Sequence, residues 1–396
     1  MATEKNPFEK IREEVTNVVQ MPTPEEMMEG APTFEMEDDG GVTVDFTGVV
    51  EMEAEESIQE WYGDLTDTLE DEDKDIIAAD VVDNYTSDKD SRAEWEAMFE
   101  KGFDLLGLKI QESSEPFEGA CTAVHPMLIE SAVKFQSKAI QELFPPSGPV
   151  KAQIIGKSTP EREDQANRVQ EFMNYQTTDQ MPEYFDEMER MLFHLPLIGS
   201  AFKKVYYDAN LKRPVSEFVP IDQFYVSYYA SNLRKADRYT HVIYRSPVDL
   251  AKDMRTGIYR DVELPEATNP QPTSFSEKMD TIIGLSPTGT NDPQYTLLEQ
   301  HCYLEIEEDY ALPYIVTVEE KSQQILSIRR NYKKDDKNQE KVSHFVHYRF
   351  VPGFSFYGFG LMHFLGNLTM TATAAMRSLV DAGQFANLPG GFKAKG

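Results

Sequence analysis

Cysteine is nearly missing. Cys121 and Cys302 are the only two in 396 residues, and they form no CxxC spacing. That argues against a disulfide framework and a Cys-based zinc site, and fits a chain made in a reducing cytoplasm. No run of 18 apolar residues occurs, so nothing in the sequence reads as a membrane-spanning helix. The start, MATEKNPFEKIREEV, lacks the basic-then-apolar build of a signal peptide. Basic residues are also scarce: 38 Lys and Arg stand against 69 Asp and Glu, for a net charge of −31. A protein that holds nucleic acid by releasing phosphate counterions is thereby excluded, although one that surrounds DNA without gripping it is not. The sequence therefore reads as a soluble, intracellular chain long enough for two or three domains.

The acidity that is present is unevenly spread. Residues 1–100 carry 31 acids and 6 bases, net −25, whereas residues 101–396 carry 38 and 32, net −6. Residues 21–90 hold 24 acids and 2 bases, broken by apolar islands such as Val42, Val44 and Phe46, or Ile76 and Ile77. Such a composition buries too little apolar area to order itself alone, so residues 1–90 read as an acidic arm, either a solvated tail or a segment that orders on a neighbouring subunit or partner. Asp71, Asp73 and Asp75 begin like a calcium loop. Ile76 replaces the required Gly and Val82 the required Glu, so the loop fails.

Folded texture is expected from Ser91, where Ser91 and Glu94 fit a capping box before Trp95, Phe99 and Phe103 at helical spacing. Further helices are expected from Pro126 to Leu143, from Pro160 to about Gln176, and from Pro182 to Pro196, with a short strand at Val150–Ile155. Short β-prone runs follow at 201–208, 215–219, 224–229 and 238–245, and Ser246-Pro247 caps a short helix. Residues 262–294, rich in Pro, Thr, Ser and Asn, read as a surface loop. The runs 295–306, 314–318, 325–328 and 343–350 read as one small antiparallel sheet with a hairpin tip at 331–341.

Catalytic chemistry finds no support. His344 and His347 sit three apart on a β-prone run and point to opposite faces, so they do not share a metal. They read as structural, as do His301, His125 and His194. Gly358-Phe359-Gly360 completes neither GxGxxG nor GxxxxGK[ST], and no GxSxG occurs. We expect no catalytic residue, cofactor or metal, and no enzyme.

The last segment carries the information. An aromatic, glycine-punctuated lead-in, VPGFSFYGFG, runs into a helix over Leu361–Phe385 that mixes large apolar residues with Thr369, Thr371, Ala372, Thr373, Ala374 and Ala375. Small faces let helices approach closely and suit a helix flanked on two sides. The stretch GFSFYGFGLMHFLGNLTMTATAAMRSLVDAGQFANLPGG resembles the approach to the stem in portal proteins, the head-to-tail connectors of tailed double-stranded DNA bacteriophages. EGACTAVHPMLIESAVKFQSKAIQELFP, LIGSAFKKVYYD, EFVPIDQFYV and HVIYRSPVDL are similar to successive parts of the portal wing, so the resemblance covers about residues 100–396.

That resemblance implies an α+β fold: a portal-type wing of helices and small antiparallel sheets leading into a long stem helix. Residues 91–350 would be the wing, helical over 91–198 and β-rich over 200–350, 351–388 the stem segment, and 389–396 the start of the clip. It implies a homo-oligomeric ring, usually of twelve subunits, at one capsid vertex of the virion, assembled in the host cytoplasm. Double-stranded DNA passes through it in packaging and ejection. Further implied partners are the major capsid protein or scaffold, terminase, and adaptor or tail proteins, with no membrane. Asn367, Thr371, Ala374 and Ala375 would pack between subunits, and Arg377 and Asp381 would pair within a helix or across neighbours. Leu388, Pro389, Gly390 and Gly391 would turn into the clip. A second stem helix, tunnel loop, most of the clip and the crown would follow residue 396. The competing expectation is an acidic DNA-mimic or chaperone-like binding module acting through residues 1–100.

Overall fold

The computed structural model describes residues 33–36, 42–45, 61–108, 117, 119–208, 211–270, 273–285, 292–306 and 310–387. Two units separate at Trp61. In the first, strands β1 (Thr33–Met36) and β2 (Val42–Asp45) pair antiparallel, the second holding the Val42–Val44 island.

The second unit begins at Tyr62, not at the expected Ser91. Asp64 and Leu65 lie along a sheet edge: Leu65 N–H donates to Ile328 O (2.9 Å), and Asp64 Oδ1 accepts from Ile328 N–H (2.8 Å). Helix α1 (Asp71–Ser91) follows. Its Asp71, Glu72 and Asp73 stand in the first turn, where the positive end of the helix dipole favours them. Ala78, Val81, Tyr85 and Asp88, spaced three, four and three apart, form its buried stripe. The acidic composition hid this stripe. The Ser91 capping box is not formed either: Ser91 is the last residue of α1 and donates to Asp88 O (2.7 Å).

Buried Arg92 stands where α1 turns into α2 (Ala93–Phe103). Its Nε donates to Glu96 Oε1 (2.7 Å), its Nη1 to Phe224 O (2.7 Å), and its guanidinium lies 3.8 Å from the Tyr225 ring centre. Helices α3 (Met127–Leu143), α4 (Pro160–Tyr175) and α5 (Glu183–Ile198) follow near their expected places. Thr159 caps α4 through a bond from Arg162 N–H (3.4 Å). A π-helical turn, Gln176–Gln180, joins α4 to α5. Helix α5 runs through Pro196 to Ile198, and Gly199, at φ 99°, ends it in the left-handed region.

Residues 150–155 are not a strand. The Asn174 side chain bonds both Val150 N–H (2.8 Å) and Val150 O (3.1 Å), and Gln170 accepts from Ala152 N–H (3.1 Å). Side-chain amides on α4 thus take the place of a neighbouring strand, and Ile155 is left 94% exposed.

Two antiparallel sheets complete the unit. Strands β3 (Ser200–Asp208) and β4 (Arg213–Val219) form one with β10 (Phe345–Arg349), in the order β10-β3-β4. The other has β5 (Phe224–Val226), β6 (Tyr239–Arg245), β7 (Tyr295–Leu304), β8 (Leu312–Glu319) and β9 (Ile325–Arg330), in chain order. The expected single sheet over 295–350 is therefore divided, and residues 331–341 cross between sheets instead of closing a hairpin. Helix α6 (Pro247–Arg255) is capped by Ser246, as expected. The expected loop at 262–294 contains helix α7 (Ser274–Ile283), capped by Thr273, with Phe275 and Ile282 buried. Phe99, Phe202, Phe224, Tyr239, Phe345 and Phe356 belong to the main core, which joins both sheets to α2, α3, α5 and the last helix, α8 (Leu361–Asn387). The architecture is α+β, with helices first and antiparallel sheet after. No helix among the described residues is long and apolar enough to cross a membrane.

Candidate functional site

The lead-in to α8 is held by backbone crossing backbone. A Cβ on Gly199 would run into Phe359 and Gly360, one on Gly358 into Gly199 O, and one on Gly360 into Leu197 O. Only glycine permits this approach. Ser200 Oγ accepts from Gly358 N–H (2.8 Å) and lies 3.2 Å from His347 Nε2. Tyr357 stacks on Trp95 (4.9 Å), and Val351 bridges to Phe359, leaving Phe354 fully exposed. Residues 351–359 double back in a turn closed by Val351 and Phe359, whose N–H groups donate to each other's carbonyls (3.3 and 2.8 Å), and Gly358-Phe359-Gly360 is its closing limb.

Helix α8 leaves this turn with two unlike sides. Met362, Gly366, Thr369 and Thr373 are buried, and α3, α5 and α2 pack against the helix. Along its second half runs a strap, residues 119–125, with Phe117 ahead of it. His125 N–H donates to Thr373 Oγ1 (3.0 Å), and Cys121 N–H donates to Asp381 Oδ1 (2.8 Å). Arg377 donates to Ala123 O (2.8 Å) and Thr122 O (3.0 Å), and the Phe117 ring lies 4.8 Å from Phe385. Arg377 and Asp381 therefore bind the strap backbone and not each other within α8, which corrects the pairing within a helix and leaves the one across neighbours as an expectation. Beside them a cleft of about 470 Å³ opens among Phe103, Lys278, Ile282, Met370 and Ala374.

The side of α8 opposite its buried stripe is open. At 3.6 residues per turn, Phe364, Leu368, Thr371, Ala375 and Leu379 share one narrow face, and all five are exposed. Leu368 is 57% and Leu379 76% exposed. Of the expected packing residues, Thr371 and Ala375 lie on this face. Asn367 and Ala374 flank it, also exposed, while Arg377 and Asp381 are half-buried under the strap. Leu388, Pro389, Gly390 and Gly391 lie outside the described residues. Composition alone shows the small residues; that Phe364, Leu368 and Leu379 join Thr371 and Ala375 on one face is carried by their spacing of 4, 3, 4 and 4.

The histidines are spent on structure. Glu299 is buried where the sheets meet, bonded to Lys204 Nζ (2.6 Å) and His301 Nε2 (3.3 Å), with His241 Nδ1 at 4.0 Å. Burial raises its carboxyl, yet the Lys204 ammonium and the hydrogen bond with His301 outweigh this and hold it well below the ordinary range. Burial lowers His301 to about 4 and His241 to about 3, so both are neutral in the fold. His347 stacks between Phe202 (4.6 Å) and Phe356 (4.5 Å). Among the described residues no three His, Cys, Asp or Glu cluster to hold a metal. The alternative reading through residues 1–100 meets a packed segment at 71–103, in α1 and α2. The sequence matches no model of a known protein family and no curated protein.

Proposed function

We propose that this chain is a subunit of a bacteriophage portal, a non-catalytic ring through which double-stranded DNA enters and leaves the capsid. The observation that carries the reading is the open face of α8. A 27-residue helix has only two charged side chains, both turned to the strap, and offers large and small apolar residues to whatever lies beside it. Were this face to meet a different surface of the next copy, the repeated contact would close a ring when its rotation divides the full circle evenly. In this reading residues 62–350 form the wing and α8 is the first stem helix. Asn367, Thr371, Ala374 and Ala375 then lie against the neighbouring subunit, while Arg377 and Asp381 tie the stem to the wing of their own chain.

The near-neutral body, net −6 beyond residue 100, also supports a conduit, since a basic lumen would bind DNA and stall it. Terminase, adaptor and tail proteins and the capsid shell are the proposed docking partners. Negative-stain microscopy of the purified chain tests the proposal. Annular particles with an open centre are expected; compact particles of single-chain size at every concentration would overturn it.

A further inference from the structure

Strand β3 carries a cation that the fold leaves unsatisfied. Lys203 is 1% exposed, and its Nζ is buried without a hydrogen-bond partner. The ring of Tyr184 lies beneath it, 4.5 Å from Nζ to the ring centre. The two carboxylates that influence it are engaged elsewhere. Glu183 holds Arg213 through both oxygens, and Glu187 accepts from Phe218 N–H (2.6 Å) and from Arg190 (3.0 Å). A buried ammonium without an acceptor is costly. Burial accordingly pulls the amine down to about 8, against the opposing pull of Glu187 and Glu183.

Lys203 also lines a cleft of about 260 Å³. Met173, Met181, Val205 and Pro214 give it apolar walls, and Gln176, Thr177 and Ser216 add polar groups. One side of it is the π-helical turn Gln176–Gln180, and such turns recur at binding sites. The cleft is smaller than the roughly 300–1,000 Å³ typical of drug-sized ligands. An apolar cleft of this size with one unpartnered cation in its wall is complementary to an anion on a small apolar body. The flexible four-carbon stem lets Nζ swing from the Tyr184 face toward such a ligand.

We infer that this cleft binds a small organic carboxylate, whose oxygens accept hydrogen bonds from Lys203 Nζ while its apolar part lies against Met173, Met181 and Pro214. The site rests on α4, α5, β3, β4, β10 and the π-helical turn of a single chain.

Calorimetric titration of the full chain with butyrate and benzoate, with butyramide and benzyl alcohol as uncharged controls, tests it at pH 7. Saturable binding of the acids and none of the controls is expected, with at least tenfold weaker binding to Lys203→Met. Raising the pH from 7 to 10 is expected to weaken binding as the amine loses its proton. Around it, burial pushes Tyr184 and Tyr348 above the ordinary phenol range, Arg213 is held cationic by its bond to Glu183, and Glu183 and Glu187 complete the facing groups. No saturable heat with either acid, or equal affinity in Lys203→Met, would overturn the inference. Should Lys203→Met fail to fold, Met173→Trp, which fills the apolar part of the cleft, decides. Loss of butyrate binding supports the site, and unchanged affinity refutes it.

Discussion

Gly199 shows how one residue decides where a whole element goes. Its left-handed backbone ends α5, and its missing side chain admits the chain at Phe359 and Gly360. Gly257 is a natural control, since it too has a positive φ, 74°, but open space where its Cβ would be. Gly199→Ala is expected to cost roughly 2–4 kcal/mol and Gly257→Ala about 1 kcal/mol, as read from denaturant midpoints at constant slope. Equal losses would place the whole effect in backbone conformation and none in the crossing. Cysteine gives a second test at this scale. Cys302 is buried, and burial pushes its thiol up to about 12, so it should resist alkylation in the folded chain. Cys121 is partly exposed and its N–H is tied to Asp381. Asp381→Ala is therefore expected to speed alkylation of Cys121 several-fold while leaving Cys302 unreactive; an unchanged Cys121 rate would show that this bond does not hold the strap.

At the scale of elements, α3 to α6 and most strands were legible because their apolar spacing and caps agree, as with Thr159 and Ser246. What was not legible had a compositional disguise. Helix α1 hides a four-residue buried stripe among acids, and α7 hides Phe275 and Ile282 in a stretch that reads as loop. The false strand at 150–155 lacked nothing in its own sequence; its partner turned out to be the side chains of Asn174 and Gln170, which no local pattern encodes. The division of β7–β10 between two sheets was invisible for the same reason, because strand partnership is a long-range property. Of the candidate site, the helix and its small residues could be read, whereas the strap could not: Arg377 and Asp381 look like an i,i+4 pair in sequence, and their partners lie some 250 residues away. Helix α1 supplies its own prediction. Asp88 is buried and bonded by Arg238 through both oxygens (2.8 and 3.0 Å). Asp88→Ala leaves that guanidinium without its partner and is expected to destabilise by about 3 kcal/mol in urea unfolding, whereas Asp90→Ala on the exposed side should be nearly neutral. Similar losses in the two would mean that α1 is held by something other than its buried stripe.

For the whole molecule, the join between the sheets sets the response to acid. His241 and His301 are neutral in the fold, with values of about 3 and 4 against about 6.5 when unfolded. Groups depressed in this way contribute stability that is complete above about pH 6.5 and is lost as pH falls toward the folded values, each at about 1.4 kcal/mol per pH unit. Asp88 and Asp222, raised by burial, work in the opposite sense and offset part of this loss. The melting temperature is therefore expected to fall steadily from pH 6.5 to pH 4, and a flat profile over that interval would mean these histidines are solvated. Assembly is the larger question, because the proposed ring sets a neighbouring subunit against the open face of α8. The native mass of the full chain over a range of micromolar concentrations tests this most directly, alongside a Leu368→Glu/Leu379→Glu variant whose exposed substitutions leave the core untouched. A discrete closed oligomer, near twelve copies, that collapses to single chains in the variant is the expected result. A wild-type mass of one chain throughout, or an oligomer indifferent to both glutamates, would contradict it.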